Sequence, residues 1–108
     1  MKLSKTVRSI RFWWAISDAR RDKGLKTPAE IKRYDNISYG PHGKANLLDI
    51  YVPKTATKLL PTIINVHGGG WVYGSKDIYQ FYCMSLAERG FVVVNYTYRL
   101  APKYKFPS

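Results

Sequence analysis

The sequence predicts an α/β domain, because two apolar runs flank a helical pattern. Residues 62–66 and 91–94 are rich in Val and Ile, and near-continuous runs of this kind are typical of strands that are covered on both faces. Residues 75–89 lie between them and carry many apolar side chains at helical spacing. A strand, a helix and a second strand in this order form a βαβ unit, in which the strands are parallel and the crossover is right-handed.

The chain begins with a predicted basic amphipathic helix over residues 3–20. Leu3, Val7, Ile10 and Trp14 recur at helical spacing, with Lys and Arg residues between them. Three roles are open to such a helix: packing on the domain, lying on an anionic membrane surface, or serving as an organelle presequence. We favour packing on the domain.

The helix is followed by a predicted break. Residues 20–26 are strongly charged and include a glycine, and Pro28 comes shortly after them. Because Gly and Pro interrupt regular structure, the sequence divides into an N-terminal helix with its linker, residues 1–27, and a domain over residues 28–108. A short turn of helix is predicted at residues 28–33.

The domain opens with a predicted antiparallel hairpin. Residues 34–39 and 45–52 show the alternation of apolar and polar side chains that is typical of strands, and residues 40–43 between them have the composition of a turn. Pro53 closes the second strand. His42 is expected to be an exposed turn residue without a catalytic role.

The helix of the βαβ unit has clear signals at both ends. Ser75 is a suitable N-cap, and Asp77 in the first turn favours the positive end of the helix dipole. Gly90 is a suitable residue to end the helix. Cys83 lies in the middle of the pattern and is expected to be a small core residue.

The composition is that of a small globular domain with a strong positive charge. The 108 residues are 45% hydrophobic, and 18 Lys and Arg against 7 Asp and Glu give a net charge of +11. The positive residues are scattered, and the sequence has no recognition helix or aromatic sheet face, so we expect no nucleic acid partner. Contact with an anionic membrane surface stays an alternative.

Cysteine and histidine are too few for a metal centre. Cys83 is the only cysteine, and His42 and His67 are far apart in the sequence. The spacing of metal ligands is therefore missing, and we expect no metal and no cofactor. The N-terminal apolar run, residues 12–16, is shorter than the core of a secretory signal. Together with the absence of paired cysteines, this favours a cytoplasmic location.

The strongest functional signal is a run of three glycines directly after the first buried strand. Gly68, Gly69 and Gly70 follow His67 and precede Trp71. Glycine has no Cβ, so another group can approach its main-chain N–H closely. Two such groups that converge on one point can stabilise a negative charge, which is the basis of an oxyanion hole. A flexible turn without chemistry is the alternative interpretation.

Four motifs in order resemble the N-terminal part of the α/β-hydrolase superfamily, in particular the hormone-sensitive-lipase-like and feruloyl-esterase-like carboxylesterases. The resemblance covers residues 47–108. Residues 48–53 (LDIYVP) are similar to the family's strand and proline, and residues 67–71 (HGGGW) to its oxyanion motif. Residues 74–77 (GSKD) resemble the start of its first helix, and residues 98–102 (YRLAP) the loop after the next strand.

The resemblance implies a role for each residue of the glycine run. The N–H groups of Gly69 and Gly70 would be the oxyanion donors, and Gly68 would shape the turn. His67 would brace the loop and would not act as a base. Trp71 and Tyr73 would bind substrate.

The substrate implied by the resemblance is a small or medium acyl ester. Trp71 and Tyr73 would form the wall of its acyl or alcohol pocket. Arg99, in the YRLAP motif, is a candidate to tie its own loop to the glycine loop through main-chain carbonyls. An ordinary surface position for Arg99 is the alternative.

The catalytic triad of the family is missing from these 108 residues. The nucleophile of α/β-hydrolases is a Ser in a G-x-S-x-G turn, followed by an Asp or Glu and a late His. No G-x-S-x-G occurs here. We therefore expect the N-terminal portion of a longer serine hydrolase, which is inactive by itself and poorly soluble because a strand edge is left unpaired. The alternatives are a non-catalytic relative that binds an apolar ligand or a protein, and a basic membrane-surface protein.

Overall fold

The computed structural model describes residues 4–70, 72–101 and 103–104. These residues form two helices, four strands and two short 3₁₀ turns. The turn Gly43–Asn46 lies between the first two strands, and the turn Lys76–Tyr79 directly precedes the second helix. In chain order the elements are α1 Lys5–Asp22, β1 Ile31–Ser38, β2 Leu47–Pro53, β3 Thr62–Val66, α2 Gln80–Glu88 and β4 Val92–Tyr96. Trp71 and Pro102 lie outside the described residues.

The four strands form one mixed sheet in the order β1-β2-β4-β3. β1 pairs antiparallel with β2. β3 pairs parallel with β4, and α2 connects these two strands. The predicted hairpin and the predicted βαβ unit are therefore both confirmed. The link between them is an antiparallel pairing of β2 with β4, which the hydrophobic pattern alone did not indicate.

The predicted turn of helix at residues 28–33 is wrong. β1 begins at Ile31, which pairs with Pro53 of β2 and is almost completely buried. The pairing with β2 satisfies the backbone groups of this segment, and such tertiary pairing overrides a weak local preference. The strand later shifts its register between Tyr34 and Ile37, where Asn36 has a φ of 57°.

The helix of the βαβ unit begins as predicted, but its first turn is 3₁₀. The hydroxyl of Ser75 accepts a hydrogen bond from the N–H of Asp77, and regular α-helix starts at Gln80. Gly90 has a φ of 99°. Its positive φ lets the chain turn out of the helix at no steric cost, which confirms the predicted end signal.

The core lies between α2 and one face of the sheet. Cys83, Met84 and Ala87 of α2 are fully buried against Tyr51 and Val93. The prediction that Cys83 is a core residue is thus confirmed. Its burial raises the pKa of the thiol to about 12, so the group is a packing residue and not a reactive thiolate.

The opposite face of β3 is open, and the prediction that this strand is covered on both faces is wrong for the described residues. Ile64 is 65% exposed and Val66 is 59% exposed. β3 is the last strand of the sheet, and α2 covers only the side that carries Ile63 and Asn65. The expectation of poor solubility remains a prediction.

A buried ion pair joins the sheet to the 3₁₀ turn. Nζ of Lys76 lies 3.1 Å from Oδ1 of Asp49, and their side chains are 8% and 1% exposed. The hydroxyl of Tyr51 donates to Oδ2 of Asp49 over 3.1 Å. Asn95 donates to the main-chain oxygen of Lys76, and the N–H of Lys76 donates to Thr97. Both charges are therefore paired and hydrogen-bonded.

The pKa of Lys76 reflects this pairing. Burial opposes the charged ammonium, but the hydrogen bonds and charges of Asp49 and Asp77 outweigh it and raise the pKa above its ordinary value. The ammonium is therefore held as a cation at neutral pH.

The N-terminal helix packs on the segment that follows the glycine run. Ser4 caps α1 by accepting a hydrogen bond from the N–H of Val7. Of the predicted apolar stripe, Val7 and Ile10 are half-buried, Trp14 is 41% exposed and Leu3 lies outside the described residues. No residue of α1 is fully buried. The division into residues 1–27 and 28–108 remains a prediction.

No helix of the described part combines the length and the apolar character that a membrane span requires.

We expect the substitution Lys76→Met to destabilise the chain. It leaves the carboxylate of Asp49 buried without its cation, and breaking a buried pair in this way costs about 3 to 5 kcal/mol of unfolding free energy. Lys58 lies in the exposed loop before β3, so Lys58→Met is a matched control with the same change of side chain. Urea unfolding followed by tryptophan fluorescence measures both. Equal midpoints for the two variants would contradict the structural role of the pair.

Candidate active site

The glycine run forms a tight loop between β3 and the 3₁₀ turn. Gly69 has a φ of 137° and Gly70 a φ of 60°. The main-chain oxygen of Gly69 accepts hydrogen bonds from the N–H groups of Val72 and Tyr73, over 3.2 and 3.1 Å. A Cβ on Gly69 would lie 1.8 Å from the main-chain oxygen of Tyr73. Only glycine can close the loop in this way.

The N–H groups of Gly69 and Gly70 have no acceptor among residues 4–70, 72–101 and 103–104. Gly68 differs from its neighbours, because its φ is not positive and a Cβ there would make only an ordinary contact of 3.4 Å with the hydroxyl of Tyr79. The steric requirement for glycine within the run therefore falls on Gly69. The N–H groups of Gly69 and Gly70, which have no partner in the described part of the chain, can receive an anion.

A fourth glycine closes the loop, and the sequence did not single it out as a site residue. Gly74 has a φ of 110°, and a Cβ there would lie 2.6 Å both from the oxygen of Gly68 and from Nδ1 of His67. The available signal was its position at the start of the GSKD motif. Its role depends on contacts across the loop, which sequence spacing does not reveal.

His67 lies under the loop and is only 2% exposed. Its ring is stacked on Tyr98 with a centroid distance of 4.0 Å, and the hydroxyl of Tyr98 donates to the main-chain oxygen of His67 over 2.5 Å. Nδ1 of His67 lies 2.8 Å from the oxygen of Gly68. Because a carbonyl can only accept, Nδ1 carries the proton of this hydrogen bond.

The imidazole of His67 is neutral at neutral pH. Burial lowers its pKa below the ordinary value of 6.5, and the hydrogen bond to Gly68 only partly opposes this. Nε2 is buried and has no partner among the described residues. A buried nitrogen of this kind is not placed to take a proton from a substrate in the cavity. The bracing role of His67 stays a prediction.

A cavity of about 280 Å³ opens on the glycine loop. Tyr73 and Tyr79 form one side of it, and Trp14 and Ser17 of α1 form the other. The predicted pocket residue Tyr73 thus lines this cavity, with its ring edge against Trp14 at 5.5 Å between centroids. The other predicted pocket residue, Trp71, lies outside the described residues.

The hydroxyl of Tyr73 is engaged by the N-terminal helix. It donates to Oδ2 of Asp18 over 2.5 Å. Burial and the neighbouring carboxylate raise the pKa of Tyr73 well above its ordinary value. The hydroxyl therefore stays protonated at neutral pH and positions the ring, which forms the cavity wall.

The tie between the glycine loop and the YRLAP loop is made by Arg11, whereas the sequence suggested Arg99. The guanidinium of Arg11 donates to the main-chain oxygens of Val72, over 2.7 Å, and Ala101, over 3.3 Å. The guanidinium of Arg99 instead lies 4.8 Å from the ring centre of Tyr104. Sequence reasoning missed Arg11 because its partners are 61 and 90 residues away.

The described residues contain no group of three or more His, Cys, Asp or Glu side chains that could hold a metal ion.

Comparison with known proteins identifies the family to which this chain belongs. The BD-FAE family model matches residues 48–108. The chain is 50% identical to arylacetamide deacetylase of Bos taurus over 62 residues, which are 54% of this chain and 16% of that protein. It is 41% identical to kynurenine formamidase of Salmo salar over 68 residues, or 63% and 23% of the two chains. Esterase LipQ of Mycobacterium tuberculosis is 34% identical over 103 residues, or 85% and 24%.

Solved structures agree with this assignment. Esterase B of Lactobacillus rhamnosis, in its structure with a tributyrin phosphonate inhibitor, superposes with a TM-score of 0.85 at 28% identity. The match covers 93% of this chain and 33% of that one. The chain thus spans about a third of this structural relative and no more than 24% of the three curated relatives above. The chain belongs to the BD-FAE family of α/β-hydrolase carboxylesterases, and it corresponds to the N-terminal region of their fold.

Proposed function

We propose that this chain supplies the oxyanion hole of a carboxylic ester hydrolase. One observation carries the proposal: the N–H groups of Gly69 and Gly70 have no acceptor among the described residues, and their loop lines a cavity that α1 closes on the other side. In acyl transfer the carbonyl oxygen of the ester becomes negative when the nucleophile attacks. Two fixed N–H donors stabilise this charge more than they stabilise the neutral carbonyl, so they lower the barrier.

The remaining site residues hold the two donors in place. His67 braces the loop from below through the oxygen of Gly68 and the stack on Tyr98. Tyr73 lines the cavity and would form the wall against which the acyl or alcohol part of the substrate packs. The family resemblance implies the same role for Trp71, which lies outside the described residues. Gly69 and Gly74 allow the loop to close. A donor that does not move during the reaction costs no reorganisation, and rigidity of this loop is therefore part of its function.

The substrate class that we propose is a small or medium acyl ester. The relatives are named for esters and for amides, and both reactions pass through a tetrahedral oxyanion. The cavity of about 280 Å³ at the loop suits a short acyl or alcohol group.

The nucleophile and the general base do not come from these 108 residues in our proposal. No serine here has the G-x-S-x-G context of an α/β-hydrolase nucleophile, and His67 is buried and neutral. A serine hydroxyl must attack the ester carbon, pass its proton to a histidine and expel the alcohol as the acyl-enzyme forms. The chain therefore contributes one part of the site and does not complete the reaction alone.

The oxyanion role can be tested in a chimera in which this chain replaces the matching 33% of Esterase B. We expect the chimera to hydrolyse p-nitrophenyl butyrate. Gly69→Ala should lower kcat by about 100-fold or more, because the new Cβ displaces the loop and loss of one oxyanion donor has an effect of that size. Initial rates at saturating substrate measure kcat.

Gly90→Ala in the same chimera is the matched control. Gly90 also has a positive φ, but nothing lies within 4 Å of its Cβ position, so this variant has comparable backbone strain without touching the loop. We expect its kcat to stay within about 3-fold of the parent chimera. A folded chimera without esterase activity, or equal losses in both variants, would contradict the proposal.

The 108-residue chain alone should not form an acyl-enzyme or a phosphonylated adduct. Incubation with a p-nitrophenyl alkylphosphonate should release no burst of p-nitrophenol and leave the intact mass unchanged, because no activated serine is present. Esterase B serves as the positive control, since its structure contains a phosphonate inhibitor. A stoichiometric mass increase on a serine of this chain would show that it holds a nucleophile of its own.

The stability of the chain should depend on the protonation of His67. Its folded pKa lies below the ordinary value of 6.5, so its contribution to stability is present above pH 6.5 and is lost as the pH falls. We expect the melting temperature to drop between about pH 7.5 and pH 5.5. His67→Phe keeps a ring against Tyr98 but cannot titrate, and its melting temperature should drop less. An identical drop in both proteins would contradict a buried neutral imidazole.

A further inference from the structure

The outer face of α1 is an exposed surface that the proposed active site does not use. At 3.6 residues per turn, its side chains fall within an arc of roughly 140°. We call this surface the outer α1 face, and its members are Lys5, Arg8, Phe12, Trp13, Ile16 and Arg20. The opposite side of the helix carries the residues that contact the rest of the chain, among them Arg11 and Trp14.

Two large aromatic side chains stand at the centre of the outer α1 face. Phe12 is 59% exposed and Trp13 is 63% exposed. Their rings contact each other edge to face with centroids 5.3 Å apart, and Ile16 lies one turn further along the helix. The helix therefore exposes two of its three aromatic side chains on the side that faces away from the rest of the chain.

The charges around this aromatic pair are all positive. Lys5 and Arg8 precede it and Arg20 follows it, and these three are exposed and have no ion pair with any described residue. The two acidic residues of α1 are engaged elsewhere. Asp18 accepts the hydroxyl of Tyr73 and pairs with Arg21.

The second acid of α1, Asp22, also pairs with Arg21, over 2.9 Å. Arg21 in turn donates to the main-chain oxygen of Ile78, so this charge cluster is tied to the domain. Because the carboxylates lie on the contacting side, they do not neutralise the cations of the outer α1 face. The surface is complementary to an anionic one.

We propose that the outer α1 face docks on an anionic phospholipid headgroup surface. Helices with Lys and Arg beside Trp and Phe lie in the plane of a membrane interface, with the apolar groups inserted at the headgroup level and the cations against lipid phosphates. The net charge of +11 attracts the whole chain to such a surface. The aromatic pair favours a lipid interface over duplex nucleic acid, whose affinity comes mainly from cations that contact the phosphate backbone.

Vesicle co-sedimentation of the full 108-residue chain tests the proposal. We expect binding to phosphatidylcholine vesicles that contain phosphatidylserine, weak binding to pure phosphatidylcholine, and release at high salt. The charge variant Lys5→Gln/Arg8→Gln/Arg20→Gln should reduce the partition coefficient by roughly 100-fold, because each of the three cations near the surface contributes a factor of about 5.

A variant with the same loss of net charge provides the matched control. Lys32, Lys54 and Lys58 are exposed and lie at the opposite end of the sheet from the glycine loop that α1 contacts. Their joint replacement by Gln should change the partition coefficient by no more than about 3-fold. Equal losses in the two triple variants would overturn the proposal, because binding would then depend on net charge alone.

The aromatic pair is tested separately. Phe12→Ser/Trp13→Ser should weaken vesicle binding by about 10-fold, whereas Tyr34→Ser/Tyr82→Ser, at two other exposed aromatic positions, should not. All variants change exposed side chains, and far-UV circular dichroism verifies that they fold. Equal binding to neutral and anionic vesicles would overturn the proposal. So would duplex DNA or RNA binding that depends on the outer α1 cations but not on Phe12 and Trp13.

Discussion

The described structure depends on the buried ion pair between Asp49 and Lys76. Asp49 lies on β2 and accepts hydrogen bonds from Tyr51 and from the N–H of Asn36, where β1 shifts its register. Lys76 begins the turn that follows the glycine loop, and Asn95 of β4 holds its main-chain oxygen. One pair of charges thus joins three strands to the start of the helical segment. Because both charges are buried, removal of Lys76 leaves the carboxylate of Asp49 without its cation, and removal of Asp49 leaves the ammonium of Lys76 with only the exposed carboxylate of Asp77.

This anchoring fixes one end of the glycine loop, and two other contacts fix the rest. The end of β3 places His67 in a stack on Tyr98, and Arg11 ties the segment after the loop to the chain at Ala101. The loop is therefore held from the sheet, from the strand end and from α1. In the proposed function, an oxyanion donor must already be in position as charge develops, and these contacts would hold the loop for that purpose.

The two sides of the N-terminal helix belong to two different surfaces of the chain. Its inner side, with Trp14 and Asp18, lines the cavity and holds Tyr73. Its outer side presents Phe12 and Trp13 among cations that have no ion pair with a described residue. The difference follows from the placement of the acids: both carboxylates of the helix lie on the contacting side, where Arg21 pairs with them, so the outer side carries positive charge alone. A helix without a fully buried residue is held by these polar ties more than by hydrophobic packing.

The sequence by itself determined the α/β class, the hairpin, the βαβ unit and the family, because strand and helix periods and the HGGGW and YRLAP motifs are local properties of the chain. It also indicated Tyr73 beside the glycine loop. Only the tertiary structure decided which glycines are sterically required, since Gly74 meets His67 across the loop. It likewise assigned the inter-loop tie to Arg11 and left Ile64 on an open face. These features depend on contacts between residues that are distant in sequence, and on the position of β3 at the edge of the sheet, which no local pattern specifies.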